Sequence, residues 1–201
     1  MKVSTNLPIG LENLLIKLEE EDGGIVISSL EYKDSDLEIH FKASFPNSEI
    51  PEQIWKIQAI NIEKERFVRD WSVNIQLFVN HQLLLEFNEN HSELYYRGKV
   101  TAPEKLAFDL FQVFTENEWK DLQLGLGINA PEGFLKLCNR EAGLFARGPR
   151  SLLDRYFSLL HENGVHTRML DNMEKNRQEL VLLLFGQSYF VAEEFVFDQI
   201  K

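Results

Sequence analysis

The sequence has little cysteine, no long apolar run and a deficit of positive charge. Cys138 is the only cysteine among 201 residues, which excludes an internal disulfide and a zinc site built from several thiolates. The longest run of aliphatic and aromatic residues, Leu180–Phe185, has six members, whereas a helix that crosses a bilayer needs about 20 apolar residues. We therefore expect no membrane-spanning segment.

The charge balance is strongly acidic. Lys and Arg number 21 against 32 Asp and Glu, which gives a formal net charge of −11. Phosphate groups select an excess of Lys and Arg, so we expect no binding to nucleic acid or to an anionic membrane surface. The acidity leans toward residues 1–100, which hold 17 acidic and 10 basic side chains.

The sequence also lacks the signatures of export and of common catalytic sites. Residues 1–8 have no apolar core of the kind that a signal peptide needs, and with the single cysteine this predicts a cytoplasmic location. Gly125 and Gly127 lack the third glycine of a dinucleotide-binding turn. His161 and His166 are five residues apart instead of the four of a zinc-protease helix. We expect no cofactor and no metal, and we assign no catalytic residue.

The first half of the chain predicts one helix followed by a sheet. Leu11, Leu14, Leu15 and Leu18 recur at helical spacing. From Ile25 the period changes to two, which is typical of strands. A turn at residues 34–36 predicts a hairpin between residues 25–32 and 37–41, and further strand candidates are residues 54–62, 73–79, 83–87 and 94–100. We expect a mostly antiparallel, meandering sheet.

The second half predicts two or three helices and a closing hairpin. One helix begins at Pro103, with Ala107, Leu110, Phe111 and Phe114 on one stripe. Capping-box spacing at residues 115–118 predicts a second short helix that carries Trp119 and Leu122, so that helical structure extends over about 103–122.

The residues after 122 are predicted to form an irregular stretch, one more helix and a hairpin. Residues 125–148 hold five of the eleven glycines and are expected to be irregular, with one helical turn at 134–137. A helix over 149–163 follows, with Leu153, Tyr156, Phe157 and Leu160 on one face. Residues 179–185 and 189–197 form a C-terminal β-hairpin in this prediction. The fold class is therefore α+β, and we expect a single domain over residues 1–201.

One local cluster of positive charge stands out in this acidic chain. Residues 136–155 carry five basic and two acidic side chains. Arg147 and Arg150 flank the expected helix start, where free N–H groups and the helix dipole favour an anion. We assign a candidate anion site to Arg140, Arg147, Arg150 and the N–H of Ser151, because arginine forks suit phosphate and carboxylate groups. The alternative is that these arginines pair with the protein's own carboxylates.

Aromatic residues in strand-like segments are the candidates for partner contacts. Trp55, Trp71, Tyr95 and Tyr96 lie in such segments, and tryptophan and tyrosine are favoured anchors at protein interfaces. The alternative for each is a place in the hydrophobic core.

Two functions from different classes follow. We favour a non-enzymatic, acidic protein-binding module, such as a bacterial toxin-immunity protein, an inhibitor or an adaptor. Its protein partner is expected to be basic, because complementary charge speeds encounter and fixes the right partner. The alternative is an enzyme or sensor that binds a phosphate- or carboxylate-bearing small molecule at the arginine cluster. The sequence leaves the oligomeric state open.

Overall fold

The computed structural model describes residues 7–46, 49–115, 125–171 and 179–200. Contacts divide the chain into two compact units, and each is described by itself. Unit 1 comprises Met1–Leu84 and Gln178–Lys201, and unit 2 comprises Leu85–Arg177. The expectation of a single domain stays a prediction.

The described residues form a strand-rich α+β structure, as expected, and every strand pair is antiparallel. The helices are α1 (Ile9–Glu20), α2 (Leu85–Asn88), α3 (Pro103–Thr115), α4 (Phe134–Asn139) and α5 (Arg150–Glu162), with a 3-10 turn at Gln82–Leu84. The strands are β1 (Gly24–Lys33), β2 (Asp36–Ser44), β3 (Gln53–Arg66), β4 (Trp71–Ser72), β5 (Ile75–Phe78), β6 (His91–Arg97), β7 (Ala142–Pro149), β8 (His166–Asp171), β9 (Val181–Phe185) and β10 (Ser188–Gln199).

Unit 1 is a strongly curled seven-stranded sheet with the order β4-β1-β2-β3-β10-β9-β5. Strands β4 and β5 lie at opposite ends of this order, yet only Val73 and Asn74 separate them in the chain. The two ends of the sheet must therefore approach each other. The N–H of Gly186, in the β9–β10 turn, donates to the carbonyl of Asn74 at 3.3 Å, which continues the β5–β9 pairing. Ser72 of β4 lies close to the same glycine, since an added Cβ on Gly186 would be 2.9 Å from its side chain.

Helix α1 packs on the inner face of this sheet. Its buried residues are Leu11, Leu14 and Leu18, while the predicted fourth member, Leu15, is half-buried. Alternate residues of the strands complete the core, because a strand directs every second side chain to the same face. On β2 these inward residues are Leu37, Ile39, Phe41 and Ala43.

Unit 2 contains a three-stranded sheet with the order β7-β6-β8. The inward face of β6 carries Ser92, Leu94 and Tyr96, which are buried. Leu94 and Tyr96 belong to a core with residues of α3 and α5. The opposite face carries Glu93, Tyr95 and Arg97, which are half-buried or exposed. This second face is therefore open to solvent.

Several predicted elements are corrected by the structure. Residues 83–87 are not a strand, since they lie in the 3-10 turn and α2. Strand β6 belongs to the second sheet and not to a single meander with the first five strands. Residues 142–148, expected to be irregular, lie in β7, which also includes Pro149, the expected first residue of the following helix; β8 is a strand that the sequence does not predict. The helical turn at 134–137 is confirmed as part of α4.

The two longer helices of unit 2 are confirmed, but their buried faces are rotated relative to the predicted apolar stripes. Helix α3 buries Leu106, Leu110, Val113 and Phe114, whereas Phe111 is exposed. Helix α5 buries Leu152, Leu153, Tyr156 and Leu160. The predicted short helix with Trp119 and Leu122 falls on residues 116–124, which lie outside the described part of the chain.

Within the described ranges, no helix has both the length and the apolar character needed to cross a membrane.

Candidate functional site

Trp71 is the most exposed of the four aromatic residues that the sequence nominated for partner contacts. It lies on the edge strand β4 with 53% of its surface accessible. Its indole sits directly over Gly24, where an added Cβ would lie 1.5 Å from Nε1 of Trp71. Glycine at this position therefore makes room for the ring. Val26, the strand partner of Trp71, is also exposed, at 39%.

Acidic residues lie close in the chain to this exposed apolar pair. Glu21 and Asp22 precede Gly24 by three and two residues, and both are exposed. Asp70 adjoins Trp71 and accepts a hydrogen bond from its backbone N–H at 2.7 Å. The side-chain amide of Gln187 donates to the same carboxylate at 3.2 Å. We call Trp71, Val26, Glu21, Asp22 and Asp70 the Trp71 patch.

The charge at the end of α1 opposes the helix dipole. Glu19, Glu20, Glu21 and Asp22 are consecutive, exposed, and located where the carbonyl ends of the helix favour cations. Within the described residues no cation forms an ion pair with them. Such an arrangement costs helix stability, and a departure from local rules of this kind is expected at functional sites.

Two of the other nominated aromatic residues are core residues. Trp55 is only 3% accessible and stacks on Phe41, with ring centroids 6.3 Å apart. Tyr96 is 3% accessible and donates its hydroxyl to the carbonyl of Leu137. Neither side chain reaches a partner surface in this conformation. Tyr95, in contrast, lies on the open face of the unit 2 sheet and is half-buried.

Each predicted anion-binding arginine contacts a carboxylate of the protein itself. Arg140 pairs with Glu132 at 3.3 Å, and Arg147 pairs with Glu93. Arg150 bridges Asp154, at 2.9 Å, and Asp171. The three guanidinium groups lie in separate ion pairs, which is the arrangement of the intramolecular alternative.

The ion pair of Arg150 and Asp171 links three elements of unit 2. Asp171, at the end of β8, also accepts a hydrogen bond from Ser92 of β6 at 2.9 Å. Both contacts favour the charged carboxylate and hold the pKa of Asp171 below its usual range. The hydrogen bond from Ser92 has the larger effect, and the bond from Arg150 has the next largest. Arg150 is the first residue of α5, so the network fastens the start of that helix to the sheet.

The start of α5 also carries an internal anion. The backbone N–H of Ser151 donates to Oε2 of Glu89 at 3.0 Å, and the N–H of Arg150 donates to the carbonyl of Asn90 at 3.1 Å. A carboxylate is favourable beside free N–H groups at a helix start. The N–H of Ser151, assigned from the sequence to a bound anion, thus donates to a carboxylate of the protein that is about 60 residues away in the chain.

Cys138 is buried in the core of unit 2, and its burial raises the pKa of the thiol, which disfavours the thiolate. Within the described ranges, no group of three His, Cys, Asp or Glu residues could hold a metal ion.

The sequence analysis missed the neighbours of Trp71. The available signal was the acidic run at the end of a predicted helix, followed by two glycines. Only the pairing of β1 with β4 brings that segment to Trp71, which lies almost 50 residues later in the chain. Comparisons of the chain with protein-family models, with curated proteins and with solved structures found no match.

Proposed function

We propose that the protein is a non-enzymatic binding protein that engages a basic protein partner through the Trp71 patch, as immunity proteins, inhibitors and adaptors do. The observation that carries this proposal is the half-exposed tryptophan whose indole rests on Gly24, two residues after a run of four exposed carboxylates, Glu19 to Asp22. Interface hot spots are often aromatic anchors enclosed by polar residues. A lysine or arginine of the partner also gains from contact with the face of an indole.

The distribution of charge supports the same surface. Unit 1 contains 18 acidic and 9 basic residues, whereas unit 2 contains 14 and 12. Unit 1 therefore holds most of the net charge of −11. A field of one sign steers an oppositely charged protein toward the surface and raises the association rate. The patch lies in the unit that produces the stronger field.

The test is affinity capture from a lysate of the source organism, with variants of the tagged protein. Glu21→Gln, Asp22→Asn and Asp70→Asn, combined, remove the three charges of the Trp71 patch. Asparagine suits position 22, because this residue has a positive φ of 51°. The matched control combines Glu31→Gln, Glu63→Gln and Glu194→Gln, three exposed positions of unit 1 away from α1.

We expect the wild type and the control to retain one near-stoichiometric basic protein, and the patch variant to lose most of it. Trp71→Ala should have the same effect as the patch variant. Equal retention by all variants, or equal loss in the patch and control variants, would contradict a role for the Trp71 patch.

The small-molecule alternative stays a prediction. A phosphate or carboxylate at Arg147 or Arg150 would have to displace Glu93, Asp154 or Asp171 from the guanidinium groups. No specific observation favours that exchange over the existing ion pairs.

A further inference from the structure

The open face of the unit 2 sheet is cationic within an acidic protein. Arg97 on β6, Arg147 on β7 and Arg168 on β8 are exposed. The pairing of the strands sets Arg147 opposite Glu93, Arg168 opposite Tyr95, and His166 opposite Arg97. Directly paired residues of antiparallel strands project to the same face, so these side chains share one surface.

Among the described residues, Arg97 and Arg168 differ from the arginines of the sequence-predicted cluster in their lack of side-chain partners. Arg147 is neutralised by Glu93, which also accepts the hydroxyl of Tyr95 at 2.8 Å. Within the described parts of unit 2, Arg97 and Arg168 have no hydrogen bond or ion pair to another side chain. The face thus offers two guanidinium groups whose charge-assisted hydrogen bonds are unused.

Strand β8 adds backbone groups to this surface. It is an edge strand, paired only with β6 among the described residues. A strand at the edge of a sheet presents unpaired N–H and C=O groups that can pair with another extended chain. Leu170, exposed at 37%, adds an apolar contact on the same face.

We propose that the edge of β8 binds an extended, acidic segment of a partner protein, which adds a fourth strand to the sheet and directs its carboxylates toward Arg97 and Arg168. Charge complementarity selects this occupant. A second copy of the chain, joined edge to edge at β8, would bring two cationic faces together, and like charges across a sheet are destabilising. This surface is separate from the Trp71 patch and would bind a segment of the opposite charge.

The test uses a dye-labelled peptide of alternating Glu and Thr, as long as β8, with fluorescence anisotropy as the readout. The same peptide with Gln for Glu controls for charge. A third peptide, with the Glu–Thr sequence N-methylated at alternate residues, keeps the charge and removes the backbone donors on one edge.

We expect saturable binding of the Glu–Thr peptide, which weakens by about tenfold in the double variant Arg97→Gln and Arg168→Gln. The control variant Arg66→Gln and Arg69→Gln removes two exposed arginines of unit 1 and should bind as the wild type does. The Gln–Thr and N-methylated peptides should bind more weakly than the Glu–Thr peptide.

Three results would each overturn the proposal. The first is an absence of binding by the wild type, and the second is equal affinity in the Arg97 and Arg168 variant. The third is equal affinity for the N-methylated and the unmethylated Glu–Thr peptides, which would mean that the peptide binds by charge alone and does not add a strand. Trp71→Ala should not alter peptide binding, so a failure here is distinct from a failure of the Trp71 patch.

Discussion

The indole of Trp55 lies in the core of unit 1, whereas that of Trp71 leaves about half of its surface to solvent. Both residues are tryptophans that occur on strands. What separates them is the side of the strand and the position of the strand in the sheet. Trp55 faces inward on the central strand β3, and Trp71 lies on the two-residue edge strand β4. Residue type alone could not assign these roles.

Substitution of the two tryptophans by alanine should separate stability from binding. Trp55→Ala removes a stacked, buried ring and should lower the free energy of unfolding by about 3–5 kcal/mol. Trp71→Ala, at a half-exposed site, should lower it by about 1 kcal/mol or less. Urea denaturation measures both. Equal losses would mean that Trp71 is a core residue.

Gly24→Ala should displace the indole of Trp71, because the new methyl group would occupy the position of Nε1. We expect a changed tryptophan fluorescence maximum and a loss of partner capture like that of Trp71→Ala. Gly148→Ala is the control, since no atom lies within 4 Å of its added Cβ. An unchanged spectrum in Gly24→Ala would show that the ring does not rest on this glycine.

Among the helices and strands, those with a regular apolar period were predicted correctly, whereas strands interrupted by glycine, proline or a bulge were not. The β1–β2 hairpin, the β9–β10 hairpin and α5 follow clear patterns of apolar residues. Strand β7 escaped prediction because Gly143, Gly148 and Pro149 are typical of loops, and because a bulge at Phe145, between the pairs Leu94–Ala146 and Tyr95–Leu144, interrupts its alternation. Its strand conformation depends on pairing with β6, about 50 residues away in the chain.

The candidate sites were predicted only in part, because their contacts also depend on residues that are distant in the chain. Local sequence located the start of α5 and its arginines, but the partners Glu93, Asp171 and Glu89 come from other strands and loops. A single sequence does not reveal such distant pairs. Helix α3 shows a smaller error, since Phe111 fits the apolar stripe by spacing but lies on the exposed side.

Asp171 should make the attachment of α5 sensitive to acid. Its pKa is lowered in the folded state by Ser92 and Arg150, so its contribution to stability is present above the ordinary Asp pKa of about 3.9. That contribution is lost as the pH falls through the lowered pKa. Asp171→Asn should lower the melting temperature at neutral pH and flatten its fall below about pH 4.

Thermal unfolding followed by circular dichroism at stepped pH tests this expectation. Asp34→Asn, at an exposed turn residue, is the matched control. The same acid dependence in Asp171→Asn as in the wild type would exclude Asp171 as a source of the effect.

Arg150→Ala should lower the melting temperature by about 2–4 °C, because it breaks the pairs with Asp154 and Asp171. Added phosphate should not raise the melting temperature of the wild type. A stabilisation by phosphate that Arg150→Ala abolishes would instead favour the small-molecule alternative.

At the scale of the whole molecule, net charge and its unequal division between the units determine the expected binding behaviour. The excess of 18 acidic over 9 basic residues in unit 1 predicts a partner interaction that salt weakens, because ions screen exposed charges. Steering by such a field acts mainly on the association rate, whereas an aromatic anchor that becomes buried on binding, as expected for Trp71, acts on the dissociation rate.

Salt and anchor should therefore affect different rate constants. Once the partner has been identified and purified, surface plasmon resonance should show that the association rate of the wild type is lower at high salt than at low salt. Trp71→Ala should mainly raise the dissociation rate. A salt-independent association rate would argue against steering by unit 1.

Quantitative affinity capture with the wild type and Trp71→Ala side by side, washed at low and then high salt, tests whether the protein acts through the Trp71 patch. We expect one basic protein, near-stoichiometric on the wild type, weakened by high salt and largely lost from Trp71→Ala. A partner that Trp71→Ala retains in full, or a wild type that retains no protein at low salt, would contradict the claim that this protein acts through the Trp71 patch.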